Sequence, residues 1–415
     1  MTSTESKSIQ AIHREAVGAD DELAKCPIAS TYGPPKVQFV RGEGSYLFDR
    51  HDAKYVDFLS GLAVTSLGHS NPEVAAAVSA QALRLQHVSN LFATEHNADV
   101  ALRLDVAMGD GVALGGQTFF SNSGAEANEA AIKIARKWGG RGRHTVLCAF
   151  RSFHGRTLAT LHATGQPEKW EAFQPLPEGF KHAAWNDVAA FEEQLDDTVA
   201  AIFVEPLQGE GGVNPATKEF FHGIRALCDE RGLLMMVDEV QTGLGRTGRW
   251  FGFQHFDITP DVVTMAKALG NGMPIGACWA APEAATSWSP GDHATTYGGQ
   301  PLATAAAKAV IAEMERIDAP NLAAKAGATL TNAVTKLPQV SGVRGLGLLL
   351  AVELVGYNAP AVAARCLEKG LVLNGVTPTA LRMAPALTIS DAEINEGVAI
   401  LADVLAEMAP EGSGE

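Results

Sequence analysis

An α/β fold with a mostly parallel sheet is predicted for this chain by three observations. Short apolar runs alternate with helix-length segments through the middle of the sequence, as strands joined by crossover helices require. The runs are apolar at consecutive positions, so each strand is expected to be covered on both faces. Two of the runs end in a charged residue, Asp238 and Lys267, that leads into a turn or glycine-rich loop.

The elements follow in order. Residues 117–121 read as a strand, 122–124 as a turn and 125–138 as a helix. In that helix Ala127, Ala130, Ala131, Ile134, Ala135 and Trp138 share one face, while Glu129 and Lys133 stand one turn apart on another. Ser123 with Glu126 three residues later has the form of a capping box. Residues 145–147, 200–204, 233–237, 262–265 and 275–280 read as further central parallel strands. Beyond a helix that starts near Pro301 the texture changes: 346–354, 372–373 and 381–383 suggest a smaller sheet. Helices lie between them, and a last helix runs from Asp391 to about Met408. The predicted architecture is a large mostly parallel sheet sandwiched by helices (residues 66–309) plus a smaller α+β domain (310–415). Residues 1–65 comprise a polar N-terminal arm and a segment, 38–61, with a hairpin-like stretch at 40–45, that packs with the small domain.

At 415 residues the chain exceeds one compact core. Forty-seven acids against 32 bases leave a formal charge of −15, which argues against a nucleic-acid or anionic-membrane surface and for a cytoplasmic protein. No stretch is apolar enough to span a bilayer, and residues 1–20 lack a signal-peptide core. The five cysteines are scattered without a CxxC pair, so reduced thiols are expected and a disulfide frame or metal site is not.

Three places carry chemistry. An apolar strand ending in Asp238 puts a carboxylate at the ligand-binding edge of a parallel sheet. An isolated aspartate there usually caps a turn. Facing a cationic ring nitrogen at ~3.5 Å, with an effective dielectric of ~20, it would instead contribute about 4–5 kcal/mol gross. Lys267 ends another buried strand with no acid within five residues; most lysines are solvated, but burial lowers a lysine's pKa and frees the amine for Schiff-base chemistry. The Ser123-Gly124-Ala125 turn opens a capped helix, whose free N–H groups seat phosphate. Each is weak alone. An aldehyde-reactive amine, a ring-nitrogen acid and a phosphate seat together fit pyridoxal 5′-phosphate.

The motifs Gly68-His69-Ser70-Asn71-Pro72, Phe119-Phe120-Ser121-Asn122-Ser123-Gly124-Ala125-Glu126-Ala127, Phe153-His154-Gly155-Arg156-Thr157, Glu205-Pro206-Leu207-Gln208-Gly209-Glu210, Ala266-Lys267 through Gly276, Thr295-Thr296-Tyr297-Gly298-Gly299 and Leu381-Arg382 occur in this order. In them the sequence closely resembles the class III (ornithine-type) aminotransferases of fold type I, and among these the acetylornithine enzymes. The resemblance implies that Lys267 holds the cofactor and serves as general base. Asp238 would pair with the pyridinium nitrogen, Gln241 lie near the ring oxygen and Phe153 stack on the ring. Gly124 and Ala125 would contact the phosphate, and Ser123, His154, Glu205 and Val240 would complete the cofactor site. Thr296 is implied to reach the phosphate of a partner subunit's cofactor, hence a homodimer with shared sites. Arg382 would take the α-carboxylate of glutamate or 2-oxoglutarate, Glu210 would mask that arginine, and Arg156 and Thr295 would contact the rest of an acylated donor. The reaction implied moves the distal amino group of N-acetylornithine to 2-oxoglutarate. Succinylornithine, ornithine, lysine and 4-aminobutyrate stand as alternative donors, and racemase, aminomutase or decarboxylase chemistry as alternative reactions. Asn71, Ala268, Asn271 and Gln300 depart from the family pattern; Asn271 and Gln300 are expected to bear on specificity.

Overall fold

The computed structural model describes residues 28–410; the N-terminal arm and Cys26 lie outside them. The apolar runs pair into a seven-stranded sheet. From edge to edge its order is Gln117–Ser121, Gly276–Ala280, Val262–Met265, Leu234–Asp238, Val199–Val204, Thr145–Ala149 and Phe180–Ala183. Consecutive residues of one strand point to opposite faces, and both faces are covered. Leu234 and Met236 pack with Ala130, Ala131 and Ile134 of the Gly124–Gly139 helix. Met235 and Val237 pack with Phe220, Phe221 and Ile224 of the Lys218–Arg231 helix. Burial on both sides is why these strands carry no polar alternation.

One predicted parallel strand is antiparallel. Gly276–Ala280 runs against both of its neighbours, Val262–Met265 and Gln117–Ser121. Only ten residues separate it from the preceding strand, too few for the crossover that a parallel return needs. The connection turns back at once, and its loop carries Lys267.

The second sheet also differs from expectation. Residues 346–354 are not one strand but the end of Val340–Leu346 and the whole of Leu349–Leu354, antiparallel partners joined across a tight turn in which Gly347 has φ +54°. With Ala380–Met383 and Asn374–Gly375 they form a four-stranded antiparallel sheet. Leu371–Val372 belongs elsewhere, pairing in parallel with Lys54–Asp57 beside the Phe39–Glu43 and Tyr46–Asp49 hairpin.

Two local expectations on the Gly124–Gly139 helix are corrected. Glu129 and Lys133 do not pair: Glu129 accepts from Thr157 Oγ1 at 2.5 Å, and Lys133 donates to the Asp292 carbonyl at 2.5 Å. The capping box is displaced by one residue. Ser123 Oγ accepts from Glu126 N, but the Glu126 carboxylate reaches back to Asn122 N at 2.6 Å rather than to Ser123. No helix of the described residues is long and apolar enough to cross a membrane.

Candidate active site

Every parallel strand of the large sheet delivers its following residues to the same edge, and there a cavity of about 400 Å³ opens. Asn122 to Ala125 come from the first strand, Phe153 to Arg156 from beyond Thr145–Ala149, Glu205 from Val199–Val204, and Asp238 to Thr242 from Leu234–Asp238. Lys267 follows Val262–Met265. The antiparallel strand contributes from its other end, so Gly272 to Ile275 close the same space. This is where ligands bind in open α/β sheets.

Asp238 is buried and its orientation is set by three donors. Asn128 Nδ2 and His154 Nδ1 both donate to Oδ2 at 2.8 Å, and Val240 N donates to Oδ1 at 2.9 Å. The His154 ring stacks on Phe203, centroids 4.2 Å apart. Asn128 was not singled out in the sequence, although an asparagine within the alanine-rich inner face of a helix was a signal for it. A buried amide needs a partner.

Lys267 begins a short 3₁₀ turn with φ +43°, an unfavourable conformation for a residue with a side chain. Burial pushes its ammonium down to about 8, against opposing pulls from Glu210, Asp238 and Glu205. Burial, and then the neighbouring Asp238 charge, raise the Glu205 carboxyl well above the usual range, although Phe153 N donates to it at 3.3 Å. Glu210 behaves in the opposite way. Burial works to raise it, yet the Arg382 guanidinium, 2.5 Å away, holds it below its usual value. Arg382 itself is only 2% exposed and is fixed through Nε to Asn374 Oδ1 at 3.0 Å.

At two glycines a side chain would meet the site's own groups. A Cβ on Gly124 would stand 2.8 Å from Val240 Cγ1, so only glycine lets the helix start approach the Asp238 strand. A Cβ on Gly209 would stand 1.8 Å from Gln241 Oε1. Val64 reaches the cavity from residues 60–63, where Ser60, Gly61, Leu62 and Ala63 are all left-handed. Asp57 Oδ1 accepts from Leu59 N and Ser60 N and supports this strained turn.

Residues 28–405 match the family described as Aminotransferase class-III. The chain is a class III aminotransferase. Among curated relatives, the enzyme is 46% identical over 390 residues to the acetylornithine aminotransferase of Gloeobacter violaceus, covering 92% of this chain and 96% of that protein. It is 43% identical to the succinylornithine transaminase of Yersinia pseudotuberculosis, covering 90% and 94%. Its fold superposes on the ornithine aminotransferase of Toxoplasma gondii with a TM-score of 0.88 at 30% identity, over 96% of this chain and 98% of that one; that structure has PLP at partial occupancy in its active site.

In the aminotransferase the cavity gathers Ser123, Gly124, Ala125, Phe153, His154, Arg156, Glu205, Glu210, Asp238, Val240, Gln241 and Lys267. Arg382 joins through Glu210. Two predicted site residues stay outside it. Thr295 lines a neighbouring cleft and touches the site only through its Oγ1, which accepts from Asn122 Nδ2 at 3.3 Å. Thr296 is exposed on this chain's surface. Nor do Asn271 and Gln300 reach the cavity. Asn271 Oδ1 accepts from Leu67 N at 2.8 Å and its Nδ2 donates to the Gly68 carbonyl; Gln300 Oε1 accepts from Val88 N and its Nε2 donates to Asn90. Both side chains hold neighbouring loops, a role that their spacing in the sequence did not reveal.

Proposed function

We propose that this aminotransferase uses pyridoxal 5′-phosphate to move the distal amino group of N-acetylornithine to 2-oxoglutarate, releasing N-acetylglutamate semialdehyde and glutamate. The observation that carries the reading is the convergence on one cavity of a lysine with a lowered pKa, a buried oriented carboxylate and a glutamate paired with a buried arginine behind it.

The residues present fit the cofactor. Gln241 Oε1 and His154 Nε2 are buried polar atoms without a protein partner, both on residues lining the cavity. Such atoms call for a bound polar group. Asp238 would hold a ring nitrogen protonated, and the first N–H groups of the Gly124–Gly139 helix, which have no intrahelical partner, would hold the phosphate. Phe153 would cover a ring face, with Ser123, Glu205 and Val240 around it. When bound, the cofactor supplies an aldehyde that receives the amino group and a cationic ring that withdraws electrons from the carbon losing its proton.

The protein's own steps follow from its groups. Lys267 would hold the cofactor through its amine and would serve as the base that takes a proton from the donor's amine-bearing carbon. Arg382, uncovered by Glu210, takes the α-carboxylate of 2-oxoglutarate in a bidentate fork. N-acetylornithine reacts at an amine with no adjacent carboxylate, and for it Glu210 stays on Arg382 and neutralises the guanidinium. Arg156 and Thr295 would serve the distal half of the donor. The curated relative named acetylornithine aminotransferase supports this donor.

A homodimer is the working unit in this reading. Leu91 is 85% exposed, Phe92 67% and Tyr297 68%, and Leu91 shares a cleft with Thr295. A partner covering them would bring its Thr296 to this chain's cofactor phosphate. A cytoplasmic location is supported by four buried free thiols, Cys148, Cys228, Cys278 and Cys366.

The test is a donor panel against 2-oxoglutarate, following glutamate release with N-acetylornithine, N-succinylornithine, ornithine, lysine and 4-aminobutyrate. The highest kcat/KM is expected for N-acetylornithine; a preference for an unacylated amine overturns the donor and keeps the class. A yellow absorbance bleached by borohydride is expected of the loaded enzyme.

A further inference from the structure

Two cations stand near the Phe153 ring, which lines the cavity. The Arg156 guanidinium lies 5.6 Å from the centre of the Phe153 ring, and the Lys169 ammonium lies 5.5 Å from it. Phe153 and Arg156 line the cavity. Among the described residues neither cation forms an ion pair with a carboxylate.

Lys169 is held in place. Its Nζ donates to Gln166 Oε1; Gln166 Nε2 donates to the Ser152 carbonyl at 2.8 Å, and Gly165 N donates to Ser152 Oγ at 3.0 Å. These bonds fasten residues 165–169 to the segment that carries Phe153. Trp170 Nε1 donates to the Thr164 carbonyl at 2.8 Å and closes the same loop. Burial and then the Arg156 charge lower the Lys169 pKa, while Glu210 on the cavity wall pulls it upward. The ammonium therefore lies within the electrostatic reach of the site.

Two like charges near one ring are unfavourable unless an anion joins them. Both substrates of the proposed reaction bring one to the end remote from the reacting carbon: the second carboxylate of 2-oxoglutarate, and the carboxylate of N-acetylornithine. We infer that Lys169 is a second substrate-binding cation, acting with Arg156 on the carboxylate remote from the reacting carbon. The inference rests on the transaminase reading above and adds a residue that the family motifs do not mark.

The test uses the cofactor-loaded enzyme. Lys169→Met is expected to raise KM for N-acetylornithine about tenfold, near the low end of what a hydrogen bond to a charged group contributes, with kcat within about twofold. Activity on N-acetylputrescine, the same donor without its carboxylate, should keep its kcat/KM, and Lys169→Arg should restore KM. Glutarate, a dicarboxylate that cannot react, should bind about tenfold more weakly to Lys169→Met by calorimetry. Equal losses on both donors, or unchanged glutarate affinity, overturn the inference. A wild-type enzyme that refuses N-acetylornithine overturns the donor reading instead, and glutarate still judges Lys169.

Discussion

Lys267 and Asp238 owe their chemistry to their surroundings. Burial lowers the Lys267 pKa to about 8. At pH 7 roughly a tenth of such lysines carry a neutral amine, about 300-fold more than at the ordinary value. The shift is downward, so the reactive neutral form grows as pH rises toward 8 and saturates above it. Cofactor capture by cofactor-free enzyme should therefore accelerate up to about pH 8 and then level off. Stopped-flow absorbance at a series of pH values checks this, and a rate still climbing at pH 10 contradicts it. The Glu210–Arg382 pair gives a second prediction. Glu210→Gln removes the charge that neutralises the buried guanidinium, so kcat/KM for N-acetylornithine should fall about 10- to 100-fold, the range of a lost charged hydrogen bond, while glutamate, whose carboxylate pairs with Arg382 itself, should lose little. Equal falls in the two half-reactions would contradict the masking role. At this scale Lys267 and Asp238 were legible as candidates because each stands at an abrupt break in an apolar run. Asn128 and Lys169 were not: their roles arise from contacts with residues 110 and 16 positions away.

At the scale of elements, strand positions were mostly legible, and so was the parallel direction of most central strands, but the reversal of 276–280 was not. The consecutive apolar residues of 262–265 and 276–280 identify two buried strands, but burial on both faces is blind to orientation. The ten-residue connection was the clue, since a parallel return requires a longer crossover. The displaced capping box has a similar cause, because Ser123 and Glu126 were recognised by spacing and the Glu126 carboxylate found the nearer unpaired N–H, on Asn122. Element packing also yields a prediction at Gly209. A methyl group there meets the mobile end of Gln241, which can swing aside. Gly209→Ala should thus lower kcat about tenfold or more with a stability change under ~1 kcal/mol. Activity assays alongside denaturant unfolding separate the two; a fully active variant would show that Gln241 has no part in the reaction.

For the whole molecule, the exposed Leu91, Phe92 and Tyr297 make the single chain incomplete in the proposed reading. Phe92→Asp should weaken dimerisation by ~2 kcal/mol or more, the loss typical of a central aromatic anchor, and activity should fall in step with the dimer fraction. Light scattering and assays across a dilution series measure both. A fully active monomer would sink the shared-site reading.

By itself the sequence determined the class of the fold and the run of buried strands, and it marked Asp238 and Lys267 as the candidate reactive positions. Those depend on local patterns: hydrophobic period, chain length between elements, and charged residues at strand ends. The tertiary structure decided what lies far apart in sequence. It decided the reversed strand beside the reactive lysine, the removal of Leu371–Val372 to another sheet, the Asn128–His154 hold on Asp238, and the settling of Asn271 and Gln300 into loop support. Each is a pairing of hydrogen-bonding groups that meet only when the chain folds, so the partner of a polar residue is set by topology and not by its neighbours in the chain.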